Sequence, residues 1–93
     1  MEIEVVRIAV CEDILPSRMK IPYEGLPQVG LFLEYLVQQY GPRLREAIWE
    51  ADQLSQSLVV LLNGKNLRSL PRGLETELCH GDSLVISIPL MGG

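Results

Sequence analysis

Apolar residues change their spacing along this chain, and each change predicts a different element. Over residues 2–10, "EIEVVRIAV", Ile3, Val5 and Arg7 fall toward one side and Val6, Ile8 and Val10 toward the other. Apolar side chains on both sides predict a strand buried on much of both faces. The stretch "CEDILPSRMK" is polar and carries Pro16, so it reads as a loop that returns through "MKIPYEG" as a second strand. Pro22 confines that strand to an edge or an end, because its nitrogen cannot donate to a ladder. Beyond Gly25 the period lengthens: Val29, Phe32, Leu33, Leu36 and Tyr40 recur at i, i+3, i+4, i+7 and i+11, one apolar stripe on a helix of about three turns. Gly41 is placed for a left-handed cap, and Pro42 cannot continue the ladder. A second stripe of Leu44, Ala47, Ile48 and Ala51 predicts a helix over 43–54, with Trp49 off its face, either packed sideways or exposed.

The period then shortens again. Residues 58–62, "LVVLL", are an unbroken apolar run fit for a central strand, and Asn63-Gly64 supplies the two positive-φ residues of a type I′ turn. The returning arm, "KNLRSL", is short and polar. Turns are expected at Gly73 and at Gly81-Asp82, before a last apolar strand over 84–88. Strand, strand, helix, helix, strand, short strand, strand is the order of an α+β domain spanning 1–93. It implies a mixed sheet with helices on one face, since each helix has one apolar stripe to bury. The apolar content of the last strand places it centrally, beside the first strand. Residues 89–93, "PLMGG", then project as an extended, flexible tail.

Composition narrows the function classes. The chain of 93 residues is 47% hydrophobic and 22% charged, which suits one small globular domain rather than a disordered segment. Its net charge is −4, and the eight Lys and Arg are scattered singly, which argues against nucleic acid as a partner. No apolar run approaches the ~20 residues of a membrane helix. The opening "MEIEVVRIAV" is acidic where a secretory signal would be basic, so a cytoplasmic location is expected. Cys11 and Cys79 are far apart and His80 is the single histidine, which disfavours a disulfide framework and a zinc site. Reduced, buried thiols are expected, and an enzyme acting through Cys11 or His80 is the residual catalytic reading.

Three stretches belong together: "LLNGKNL" as strand and turn, "LCHGDSLVISIP" as a Gly-Asp turn feeding the last strand, and the closing Gly92-Gly93. The combination resembles the ubiquitin-like sulfur carriers of the MoaD and ThiS family, over nearly the whole chain. The resemblance implies a β-grasp fold, a mixed sheet of four to five strands with helices packed on one face and an extended Gly-Gly tail. The chain looks nearer to MoaD, the small subunit of molybdopterin synthase, because it has room for a second helix and because Pro89 matches one proline of the Pro-Pro-x-x-Gly-Gly ending. It departs from that ending at Ile88, where the other proline would stand, and at Ser87, which replaces an aromatic residue.

The same resemblance implies the chemistry. A free carboxylate is a poor electrophile, so an activating enzyme of the MoeB/ThiF type would use ATP and magnesium to form an acyl-adenylate at Gly93. A persulfide sulfur would then displace AMP and leave a thiocarboxylate, which donates sulfur to a pterin precursor inside a MoaE-like large subunit. The chain itself would contribute no catalytic side chain, hold no metal and bind no cofactor. Gly92 and Gly93, lacking Cβ atoms, suit a narrow channel. Pro89, Leu90 and Met91 would grip a partner groove, with burial of the last two contributing roughly 1.5–3 kcal/mol each. Two alternatives share these first steps: a modifier joined to lysines through Gly93, and a ThiS-like carrier in the thiamine pathway.

Overall fold

Among the described residues, 1–89 of the chain in this computed structural model, a five-stranded sheet is organised around the last strand. β1 (Glu2–Ile8) pairs antiparallel with β2 (Arg18–Pro22), Val5 opposite Met19 and Glu2 opposite Pro22. Pro22 therefore sits at the end of an edge strand, where a missing N–H leaves no gap in the ladder. Two helices follow, α1 (Val29–Tyr40) and α2 (Pro42–Ile48), and then a two-plus-two-residue hairpin of β3 (Trp49–Glu50) and β4 (Gln53–Leu54). β5 (Val59–Leu62) turns back into β6 (Lys65–Asn66), with Asn63 at φ 51° and Gly64 at φ 86°, the signs a type I′ turn requires.

β7 (Ser83–Ser87) runs parallel to β1 on one side and antiparallel to β5 on the other, which gives the order β2-β1-β7-β5-β6. The last strand is central, as its apolar content predicts. The core joins Phe32, Leu33 and Leu36 of α1 and Leu44 and Ile48 of α2 to Ile3 and Val5 of β1, Val60 of β5 and Leu84 and Ile86 of β7, each at most 1% exposed. Tyr23 meets Phe32 edge-on, ring centres 5.1 Å apart, and its hydroxyl donates to the Leu26 carbonyl at 2.7 Å.

The structure corrects the sequence reading in three places. β1 stops at Ile8 rather than residue 10, because Ala9 at φ 59° and Cys11 at φ 55° leave the extended region. It is also buried on one face only: Ile3 and Val5 are enclosed, whereas Val6 is half-buried and Ile8 is 46% exposed. The helix expected over 43–54 ends at Ile48, and Ala51, at φ 55°, is the pivot of the β3–β4 hairpin. A longer helix would have offered the core the single methyl of Ala51; an extended Trp49 lays a half-buried indole against it instead, a larger apolar contribution. Gly41 adopts φ 92°, ψ −172°, a positive-φ extended turn rather than a left-handed helical cap, with its N–H on the Val37 carbonyl at 2.7 Å.

One side chain organises the run between β4 and β5. The Arg68 guanidinium donates to the carbonyls of Leu58 and Ser55, both at 2.7 Å, and of Leu54 at 3.4 Å. The 3₁₀ turn Leu67–Ser69 that carries it is capped by Asn66, whose side chain accepts the Arg68 N–H.

Candidate functional site

The two turns picked out separately in the sequence are one structure at the start of β7. Asn63 Nδ2 donates to Asp82 Oδ1 at 3.0 Å, while Asn63 Oδ1 accepts the Ser83 N–H at 2.9 Å. The second carboxylate oxygen, Asp82 Oδ2, accepts the Cys79 N–H at 2.8 Å, and the Gly81 N–H donates to the Glu2 carbonyl at 2.8 Å. Gly81 holds φ 88°, a region where a side chain is strained. The Glu2 N–H in turn donates to His80 Nδ1 at 2.9 Å. The two bonds accepted by the Asp82 carboxylate are charge-assisted, the stronger class of hydrogen bond, and with the others they fix the point where the strand enters the sheet.

At its other end β7 reaches the rim of the sheet. Ser87 is buried between its ladder partners Ile8 and Val59, and its hydroxyl donates to the Ile88 carbonyl at 2.9 Å. Ile88 is 39% exposed, and Pro89 is exposed beyond it. The grip expected of Leu90 and Met91, and the reactive terminus expected at Gly92 and Gly93, lie outside the described residues.

A feature the sequence reading missed adjoins this rim. On the sheet face opposite the helices, Val6, Val85 and Leu61 stand in register across β1, β7 and β5, all half-buried, with Ile8 and Val59 in the next row. Its signal was the second set of apolar positions in β1, Val6 and Ile8, which read as a buried face. Arg18 and Lys20 border the row on β2, Arg18 lying 3.9 Å from Glu4 in an exposed pair of little energetic weight.

The thiols and the histidine are not brought together. Cys11 follows the end of β1 and His80 bonds to its start, so the length of the strand, roughly 20 Å, separates them. Cys11 is half-buried, and burial pushes its thiol up against the smaller opposing pull of Arg7. Cys79 is exposed rather than buried as expected, and it sits at the start of β7, the far end of the strand from Pro89. No group of three His, Cys, Asp or Glu is placed to hold a metal among the described residues. Among the same residues no helix is long and apolar enough to cross a membrane.

A mixed sheet with the last strand central, helices on one face and an exposed proline at the rim defines a β-grasp protein of the ubiquitin-like class. Solved structures share it. The solution structure of small archaeal modifier protein 1 from Methanosarcina acetivorans is 31% identical, covering 99% of this chain and 96% of that one, with a TM-score of 0.78. The HVO 2177 protein of Haloferax volcanii is 26% identical over 100% of this chain and 87% of its own, with a TM-score of 0.80. CysO of Amycolatopsis orientalis, solved in a complex with BexX, matches at 19% identity and a TM-score of 0.77, over 98% of this chain and 99% of that one, a likeness of fold. No family model and no curated protein sequence matches the chain. With close to a third of its residues shared along nearly the whole of both chains, the protein belongs to the ThiS/MoaD-type family of ubiquitin-like sulfur carriers and modifiers.

Proposed function

We propose that this protein is a cytoplasmic sulfur carrier for molybdopterin or tungstopterin synthesis, working through Gly93 as the non-catalytic small subunit of a synthase. An activating enzyme of the MoeB/ThiF type, using ATP and magnesium, adenylates Gly93, and a persulfide converts it to the thiocarboxylate that donates sulfur in a MoaE-like partner. The observation that carries the reading is the placement of β7: the central strand, fixed at its start, delivers exposed Ile88 and Pro89 to the rim immediately before "LMGG". The half-buried row of Val6, Val85 and Leu61 beside that rim gives an activating enzyme an apolar seat continuous with the segment it must grip.

A second reading, a modifier joined to lysines through Gly93, is favoured by the 31% identity to small archaeal modifier protein 1. Intact-mass measurement on protein from its native host separates the two. Exchange of one oxygen for sulfur supports the carrier, and Gly-Gly remnants on lysines of other proteins support the modifier. Deleting Gly93 should abolish both activities; a deletion strain that keeps active molybdenum or tungsten enzymes and conjugates nothing less than before would overturn both.

A further inference from the structure

On the helical side of the molecule, α1, α2 and the β3–β4 hairpin enclose a groove of about 300 Å³. Its apolar lining is Leu31, 40% exposed on α1, the half-buried Trp49, and Leu74 of the 3₁₀ turn Gly73–Glu75. The acidic side chains along it are Glu34, Asp52 and Glu75, against one base, Arg45, which is already 3.2 Å from Glu34. Two carboxylates are thus left over. Trp49 Nε1, shielded from solvent, has no hydrogen-bond acceptor among the described residues. The N–H is thus beyond the direct reach of a ligand, and Trp49 offers the groove apolar surface. The groove continues past Asp52 and Leu74 into a second hollow of about 210 Å³ that includes Arg68, whose guanidinium is occupied by the three carbonyls already described.

We propose that this groove is a second docking surface, one that takes a short segment of a partner protein with a bulky apolar side chain flanked by Lys or Arg. The apolar anchor lies on Leu31, Trp49 and Leu74, and the flanking cations meet Asp52 and Glu75. The occupant is basic because the groove's charge is acidic and uncompensated, in a chain of net charge −4. The site is on the layer opposite the Val6, Val85 and Leu61 row, so a partner seated here leaves that face and the β7 rim accessible. It is independent of the chemistry at Gly93, and a chain lacking Gly92 and Gly93 should bind equally well.

The test is two-dimensional NMR of the isotope-labelled full chain, titrated with a peptide carrying one central phenylalanine between flanking arginines. Two control peptides replace the phenylalanine by glycine or the arginines by glutamates. The Trp49 indole resonance and the amides of Leu31 and Leu74 should shift with the first peptide and far less with either control. Asp52→Lys with Glu75→Lys, both exposed positions, should weaken binding on the order of tenfold at low salt while the amide spectrum of the free chain stays folded. Equal shifts with the glycine control would reduce the effect to surface charge and sink the proposal. So would shifts centred on Val6, Val85 and Leu61, or an indole resonance that never moves.

Discussion

At Ser83, β7 receives an amide clamp from Asn63, a carboxylate scaffold from Asp82 and a Glu2–Gly81 backbone bond; at Ser87, beyond its ladder partners, the strand has its own hydroxyl on the next carbonyl. The difference teaches where the fold stores its stability. The start of the strand is over-determined, so the rim beside Pro89 can be shaped for a partner at little cost to folding. Residues at the two ends should therefore answer mutation unequally.

The largest effect should come from the centre that both ends share. Ile86→Ala, at a fully buried position, should cost about 2–5 kcal/mol in urea denaturation. Next, Asp82→Ala releases the Asn63 amide and the Cys79 N–H, both exposed, to water and should cost about 0.5–1.5 kcal/mol; a double-mutant cycle with Asn63→Ala should show the pair coupled rather than additive. Gly81→Ala meets no atom within 4 Å, so its cost is conformational alone, roughly 1 kcal/mol. At the other end, Ile88→Ser and Pro89→Ala should change stability by less than about 0.5 kcal/mol and, under the function proposed above, impair sulfur transfer. If Ile88→Ser costs as much as Asp82→Ala, the contrast between the two ends is broken.

The smallest effect concerns a thiol near the rim. Burial holds the Cys11 thiol above its ordinary pKa, so the fold favours the protonated form. That contribution is complete below the ordinary thiol range and is lost as pH rises through the raised value. Cys11→Ala should accordingly flatten the alkaline limb of stability against pH. Exposed Cys79 should be alkylated first in the native protein.

Where local periodicity met a single partner, the fold was legible. The stripe of Val29, Phe32, Leu33 and Leu36, the Asn63-Gly64 reversal and the central last strand could all be read from spacing and turn chemistry. Val6 and Ile8 misled because an apolar residue on a strand reads the same whether it meets a helix of its own chain or faces outward, as these two do. The second helix ended early because Trp49 gains more by leaving the helix than Ala51 could by staying in it, a tertiary choice invisible to a period of 3.6. The Asn63–Asp82 clamp joins turns 19 residues apart, and only pairing β5 with β7 brings them together.

The parallel pairing of β1 and β7 has a mechanical consequence. A pull applied at Pro89 along the axis of β7 would load its slanted bonds to β1 together in shear, rather than parting them one by one like a zipper. The clamp at Asn63 and Asp82 lies at the trailing end of the same line of force. A load applied there would therefore be spread over the whole β1–β7 ladder rather than concentrated on one bond.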